Sequence, residues 1–340
     1  MISTRVLVSD EINFSSCSST AHPSENLKWL QVLEKGLGHR PILIQALRED
    51  RVIGELPLVL VSGPIFGKFL VGLSYINSGG VRATDAEVQK KLIDQAIKLT
   101  EEHGCRYLEL RHETPIAHSQ FNAELNTKVH KRLELPGSID ELRKALKGKV
   151  RNQVKKGESQ GFRIAWGGTD LVEDFYRVFS IRMRELGTPV YSKKLFLSIC
   201  AEFSGSSEIC CVYDGDKVIG AAILVHGDQI TEVPSAATLI SYNKSNVNML
   251  MYWQLLCRSV ERRQKAFDFG RATIDSPTYK FKKQWGATSH PAHWQYYLRK
   301  GSVDDMRPDS GKKKFIIQIW KHLPLWVTNR LGPYIVRGIP

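Results

Sequence analysis

Several large protein classes are excluded by what this chain lacks. No run of about 18 apolar residues occurs, so nothing reads as a membrane-spanning helix. The opening MISTRVLVSDEINF has no basic start followed by a long apolar core, which predicts no secretory leader. Six cysteines are present, at positions 17, 105, 200, 210, 211 and 257. None forms a CxxC pair and no histidine stands at ligand spacing, so a zinc site or disulfide framework is not expected. Reduced thiols in a cytoplasmic protein fit this usage. The GxSxG turn of serine hydrolases is absent. His112, His118, His130 and His293 show no nucleophile–base spacing, and His293 beside Trp294 reads as structural. Neither a helix-turn-helix nor an RNP-like aromatic pattern is present, which removes the ordinary DNA and RNA readers.

What is present is an excess of positive charge. The 340 residues carry a net +13, with a sequence pI near 9.4. Such a balance predicts an anionic partner without naming it. Nucleotide-linked sugars, coenzymes, nucleic acid and anionic lipid headgroups all qualify. The length predicts more than one domain.

Hydrophobic periodicity then divides the chain. SENLKWLQVLEKGLG reads as an amphipathic helix from Ser24 to Leu37. PILIQALRED and RVIGELPLVLVSG read as a hairpin about Glu49-Asp50-Arg51. LVGLSYINSGGV reads as a strand, Ala86–His103 as a helix with Val88, Leu92, Ala96 and Leu99 inward, and CRYLELRHE as a strand. The second half repeats this grammar. A helix spans Asp170–Gly187, a hairpin turns at Asp214-Gly215, and a long helix follows Ser245 or Asn246 as N-cap. AFDFGR closes the series as a strand. DRVIGELPLVLV and DKVIGAAILVHG occupy matching places, so the chain reads as an internal repeat of roughly 130 to 150 residues. The expected class is α/β (α+β), with one mixed, mostly antiparallel sheet flanked by helices in each half. The expected division is an N-terminal domain over 1–133, a second over 134–299, and a basic aromatic tail over 300–340, with the break at Pro136-Gly137.

The segment FDFGRATIDSPTYKFKKQWGA (267–287) follows a core strand with Asp, Arg, Tyr, three Lys and Trp. It reads either as a solvated loop or as the wall of a site for an anion. Together with LELR (108–111), VRNQVKK (150–156), ELGTPVYSKKLF (185–196) and HWQYYL (293–298), it resembles the FemAB-related acyltransferases, built from two GNAT-type domains. The closer resemblance is to the subgroup associated with PEP-CTERM and exosortase systems, found beside exopolysaccharide genes in Gram-negative bacteria.

That resemblance implies tandem GNAT-like domains and acyl transfer. It implies that the VIGAAILV and FDFG strands splay apart to admit the acyl donor. Coenzyme-A-dependent members hold pyrophosphate on a Gly-rich turn at a helix start. The corresponding turn here, Ala237–Leu250, has no glycine. Aminoacyl-tRNA therefore stands beside acyl-CoA as a candidate donor, and no permanently bound cofactor or metal is expected. Lys282 is expected to stabilise an oxyanion near the transferring carbonyl. Asp268 is read either as a general base or orienter for the attacking amine, or as a partner of Arg271 or of a backbone group. Arg271 is read as a clamp for phosphate or carboxylate, with Tyr279 and Trp285 lining the acceptor pocket. Arg151 and Lys155, four apart on one helical face, are candidates to grip a diphosphate. Arg184 and Tyr191 flank a turn able to present them to a ligand, and Asn248 is placed to bond the donor.

The expected function is transfer of an acyl or aminoacyl group to an amine or hydroxyl of a cell-envelope or exopolysaccharide precursor. Two alternatives stay open: an acyl-CoA N-acetyltransferase, and a non-catalytic binding protein that kept the fold. Expected partners are an anionic nucleotide- or lipid-linked substrate and tRNA, but not DNA. A cytoplasmic protein is expected. Its tail mixes Trp320 and Trp326 with Lys321, Arg330 and Arg337, and reads as an arm packed on the second domain or as an anchor at the inner membrane surface.

Overall fold

The computed structural model describes residues 1–14, 19–63, 66–301 and 311–339. Cys17 and the polar start of the tail, 302–310, lie outside the described residues. The first half runs β1 (Ile2–Val8), α1 (Lys28–Leu37), β2 (Arg40–Arg48), β3 (Arg51–Gly63), β4 (Gly67–Val71), α2 (Ala86–Glu102), β5 (Tyr107–His112) and β6 (Ala123–Glu134). Next come α3 (Ile139–Ala145), α4 (Gly148–Glu158), β7 (Arg163–Gly167), α5 (Val172–Leu186), α6 (Lys193–Glu202), β8 (Ser207–Asp214) and β9 (Lys217–His226). The chain continues through β10 (Ile230–Thr238), α7 (Val247–Glu261), β11 (Ala266–Thr273), α8 (Pro277–Gln284) and β12 (Thr288–Leu298). Two tail helices follow, α9 (Gly311–His322) and α10 (Leu325–Val336).

Among the described residues these strands form one sheet in the order β1-β2-β3-β4-β5-β12-β6-β11-β10-β9-β8-β7. Each half builds four antiparallel neighbours and then makes one parallel step, β4 to β5 and β10 to β11. The repeat read from the sequence is thus a repeat of topology. The halves are joined by exchanged strands. β12, late in the chain, lies between β5 and β6, and β6 pairs with both β12 and β11. Ladder bonds therefore fasten the two halves along the central strands.

Local chemistry explains the elements. Asp85 accepts hydrogen bonds from Glu87 N and Val88 N, which starts α2, and Val88, Leu92, Ala96 and Leu99 are buried as their spacing predicts. α7 buries eleven of its residues, Trp253 among them, because it lies between the second half of the sheet and α4. Three readings are corrected. The first helix begins at Lys28, because Pro23–Glu25 forms a separate short 3₁₀ turn. The strand expected in LVGLSYINSGGV stops at Val71, and Leu73 and Tyr75 then take left-handed backbone conformations. Asn246 does occupy the N-cap of α7, but at φ +54° and without a side-chain cap bond.

α1 of the first half crosses α6 of the second at Gly36, where a Cβ would stand 2.7 Å from Leu195 Cα. On an open helix, Gly→Ala gains about 1 kcal/mol of propensity. Here the neighbour is backbone and cannot rotate away. Gly36→Ala is expected to lower stability in urea unfolding; a gain of the propensity term would show that the crossing is loose.

Candidate active site

The site is built where β10 and β11 part. Their parallel pairing ends with Glu232 opposite Asp268. At that level β10 shifts register against β9 between Glu232 and Ser235, and β11 shifts against β6 between Asp268 and Arg271. Paired irregularities turn the strands away from one another and open a cleft of about 190 Å³. The expectation that the VIGAAILV and FDFG strands would splay is corrected here. β10 lies between those two, and it is β10 that diverges from β11.

The cleft wall includes Tyr75, Asn77, Tyr191, Ser235, Phe269, Gly270, Arg271 and Lys282. Asn77 comes from the first half and spans the gap. Its Nδ2 donates to Glu232 on β10, and its Oδ1 accepts from Arg271 N on β11. Gly270 sits at φ +74°, and a Cβ there would stand 2.9 Å from Asn77 Nδ2. Only glycine meets both demands without strain.

Below the cleft lies a buried charge network. Asp268 is fully buried. Its Oδ1 accepts from Gly270 N at 2.6 Å, and its Oδ2 accepts from Arg132 Nε at 2.9 Å and lies 3.0 Å from His22 Nε2. Burial alone would raise this carboxyl's pKa, but His22 and Arg132 outweigh it and hold it well below the usual range. A carboxylate so fully bonded is a poor proton acceptor, so Asp268 positions β11 rather than taking a proton. Its partners are a backbone group, Gly270 N, as one reading of the sequence allowed, together with Arg132 and His22, and not Arg271. Arg132 also grips Glu113 with both terminal nitrogens. His22 Nδ1 in turn meets Ser24 N and Ser24 Oγ, and Ser24 Oγ lies 2.7 Å from Ser78 Oγ. Burial works against a charged His22, but Asp268 and Glu232 raise its pKa above the usual range.

Glu232 differs from Asp268. It is buried, its Oε2 has no hydrogen-bond partner, and the nearest cation is His22 Nδ1 at 4.0 Å. Burial raises its pKa. It stands next in the chain to the cleft residues Val233, Pro234 and Ser235.

Lys282 is 6 % exposed, and its Nζ donates to Arg271 O at 2.8 Å. The stretch around it is helix α8, started by Ser276 Oγ accepting from Tyr279 N and by Pro277 at the first position. Lys280 and Lys282 are two apart on that helix, so they face different ways. Lys280 is exposed, whereas Lys282 reaches the cleft. Burial, with Arg271 adding to it, lowers the Lys282 ammonium to about 8. Burial pushes the Tyr191 phenol up.

Other sequence candidates fall outside the cleft wall. Trp285 is buried against Tyr252 and Phe281, which is packing. Tyr279 stacks under Lys131, 4.5 Å from its ring centroid. Arg151 and Lys155 are exposed on α4, and Arg151 Nη1 bonds the carbonyls of Lys144 and Leu146. Arg184 lies near the end of α5, and Asn248 lies in the first turn of α7. The structure adds His22, Asn77, Arg132 and Glu232, which no local motif marks. His22 and Asp268 are 246 positions apart.

Comparison with known proteins bears on the fold that holds the cleft. Residues 144–283, which include β10, β11 and Lys282, match the family described as "Acetyltransferase (GNAT) domain". No curated protein matches the chain. Among solved structures, FemX aligns at 12% identity over 84% of this chain and 94% of that one, with a TM-score of 0.59. A tandem GNAT protein from the clavulanic acid biosynthesis pathway aligns at 10% identity over 89% and 100%, with a TM-score of 0.52. The C-terminal domain of a putative lysylphosphatidylglycerol synthetase from Agrobacterium fabrum aligns at 10% over 84% and 89%, TM-score 0.55. The fold is therefore that of tandem GNAT-like domains, shared with FemX, and residues 144–283 are the part similar to the acetyltransferase family.

Replacing Asp268 by Asn should cost roughly 3–5 kcal/mol in denaturant unfolding, the scale for breaking a buried ion pair. Because the folded pKa is depressed, this stabilisation is complete above the ordinary aspartate range, near 3.9, and is lost as pH falls below it. Wild type and Asp268→Asn should thus converge in stability in acid. A constant gap down to pH 2 would contradict the charge network.

Proposed function

We propose that the chain is an acyltransferase that moves an acyl or aminoacyl group onto an amine of a nucleotide- or lipid-linked envelope precursor. The exopolysaccharide setting of the PEP-CTERM and exosortase subgroup is the context proposed for it. The observation that carries this reading is the cleft at the parting of β10 and β11, with Lys282 on its wall and Glu232 one residue from it.

In this mechanism the donor carbonyl lies in the cleft and the acceptor amine attacks it directly. A C–N bond forms, and the carbonyl electrons move onto oxygen. The tetrahedral intermediate collapses as the thioester C–S bond of an acyl-CoA, or the ester C–O bond of an aminoacyl-tRNA, breaks. Lys282 places a desolvated cation beside the oxyanion, where it is worth more than in water. Glu232, with a raised pKa and a free oxygen, takes the amine proton and passes it to the departing sulfur or ribose oxygen. The described cysteines are buried, and burial raises each thiol, to about 11 for Cys105 and Cys200 and about 12 for Cys211 and Cys257. These thiols are poor nucleophiles, which supports direct transfer over a covalent enzyme intermediate.

The 3₁₀ turn Ile240–Ser245 before α7 contains no glycine. That favours a donor held otherwise than by the usual pyrophosphate turn, and keeps aminoacyl-tRNA beside acyl-CoA as a candidate. The tail supports a lipid-linked acceptor. α10 packs one face on α5 and on the turn after it, with Thr328, Gly332 and Val336 buried. Tyr75, a cleft residue, donates to Val336 O. The opposite face exposes Trp326 (72 %), Tyr334 (70 %), Leu331, Arg330 and Arg337. Residues 311–340 include six Lys or Arg and no Asp or Glu. Aromatics with cations and no acids suit an anionic bilayer surface. Among the described residues no helix is long and apolar enough to cross a membrane.

Two experiments test the proposal. In transfer assays with acetyl-CoA or aminoacyl-tRNA as donor, Lys282→Met should lower kcat by about 10²–10³ with little change in KM, the scale for losing one oxyanion donor. Wild-type rates should fall as pH rises through about 8, where Lys282 loses its charge, and Lys282→Arg should move that fall upward. No turnover in wild type with either donor would favour a binding protein; unchanged turnover in both Lys282→Met and Glu232→Gln would overturn their assigned roles; turnover with acetyl-CoA alone would favour an ordinary N-acetyltransferase. In flotation assays the full chain should bind phosphatidylglycerol vesicles and not pure phosphatidylcholine. Trp326→Ala with Tyr334→Ala should abolish most of that binding, and equal binding by this variant would remove the arm from the account.

A further inference from the structure

Beside the cleft, three cations crowd one indole. Trp294 on β12 stands opposite Arg111 of β5 in the ladder. The Arg111 guanidinium carbon lies 4.3 Å from the ring centroid, the Lys128 ammonium 4.1 Å, and the Arg271 guanidinium carbon 5.0 Å. Only Arg111 has an acid, Glu109, 2.6 Å away. Among the described residues neither Lys128 nor Arg271 has a carboxylate in ion-pair contact. Arg271 Nη1 and Trp294 Nε1 are buried donors without acceptors.

A ring face attracts a cation modestly. It does not neutralise a second and third cation brought to the same ring, nor does it give the idle N–H groups an acceptor. Like charges left together away from water destabilise a fold unless something of opposite sign visits them. Burial, and then the neighbouring arginines, lower Lys128 to about 8; burial and Arg111 lower Arg271 to about 10. Arg271 is at the same time part of the cleft wall, with Tyr191 and Ser235. The missing partner therefore reaches the cluster through the cleft.

We propose that Arg271, Lys128 and the Trp294 indole N–H form a subsite for a phosphate group, with Arg111 fixing the ring from the other strand. Two uncompensated cations match a dianion better than a monoanion. Arg271 supplies the planar fork suited to phosphate oxygens and Lys128 a point charge. The ligand class is a phosphomonoester or diphosphate whose remainder extends into the cleft. This assignment stands on the cation cluster and holds whether or not the cleft performs acyl transfer.

The test uses the full chain, titrated calorimetrically with inorganic pyrophosphate, inorganic phosphate and acetate, with tryptophan fluorescence followed in parallel. Pyrophosphate should bind saturably and raise the thermal midpoint, acetate should not, and Lys128→Met and Arg271→Gln should each weaken binding at least tenfold. Lys98→Ala, at an exposed position of α2, should bind as wild type does. The free Lys128→Met variant should melt at or above the wild-type midpoint, because it relieves uncompensated charge. A lowered midpoint with unchanged pyrophosphate binding would make the cluster a packing feature and overturn the subsite. Equal weakening by Lys98→Ala would reduce the binding to general surface charge and overturn it too. Preference for acetate would overturn the phosphate assignment in favour of a carboxylate.

Discussion

Everything at the site depends on the ionised Asp268 carboxylate, buried at the seam of the two halves. Its three donors come from Gly270 on its own strand, Arg132 on the exchanged strand β6, and His22 on the segment before α1. Leaving a carboxylate there with any of these removed would expose the desolvation cost of the charge. The charge therefore fixes where β11 bulges, which way Gly270 turns, and how close the first half must come. The cleft is a consequence. With β11 held to β6 at Asp268, and β10 bulged between Glu232 and Ser235, the strands have nowhere to pair beyond that level.

Two acids face each other across that last parallel pair, and their surroundings separate their roles. Asp268 has every oxygen bonded and stays charged. Glu232 keeps one oxygen free, and burial makes it more basic than an ordinary carboxylate. Environments that push two carboxyls apart in this way are how one site holds both a fixed charge and a movable proton. The surrounding cations follow similar logic. Lys282, Lys128 and Arg271 are each lowered by burial, and Lys282 and Arg271 open onto the cleft. The site thus holds positive charge ready for a substrate that brings the negative.

Much of the scaffold was legible in the sequence, because it is written in short-range signals. The period of α2 with Asp85 before it, the Asp214-Gly215 turn, and the matching VIG strands all report local geometry. They led to two similar α/β halves, and the family resemblance led on to the tandem GNAT fold. Lys282, Arg271 and Tyr191 were candidates picked out with the help of the resemblance, and the structure brings all three to one cleft. The Asp268 network was not legible. Its members His22, Arg132 and Glu232 are distant in sequence and meet only through strand exchange, which no local pattern encodes. Arg151 and Lys155 lie apart from that cleft: helical spacing put them on one face, and that face is exposed on α4. The position of β10 between the VIGAAILV and FDFG strands was equally hidden, since periodicity gives strands and not their order.

The central claim is that the opening between β10 and β11 is where the donor or acceptor binds. The most direct measurement is the thermal midpoint of wild type and of Ser235→Trp, which fills the cleft wall, with acetyl-CoA, aminoacyl-tRNA and a UDP-linked precursor added singly. A ligand at a hundred times its dissociation constant contributes about 2.7 kcal/mol, enough to move a midpoint clearly. The account predicts a shift in wild type with at least one of these ligands, and its loss in Ser235→Trp while the unliganded midpoint stays close to that of wild type. The same shift in both proteins, or none in wild type with any of the three, would contradict it.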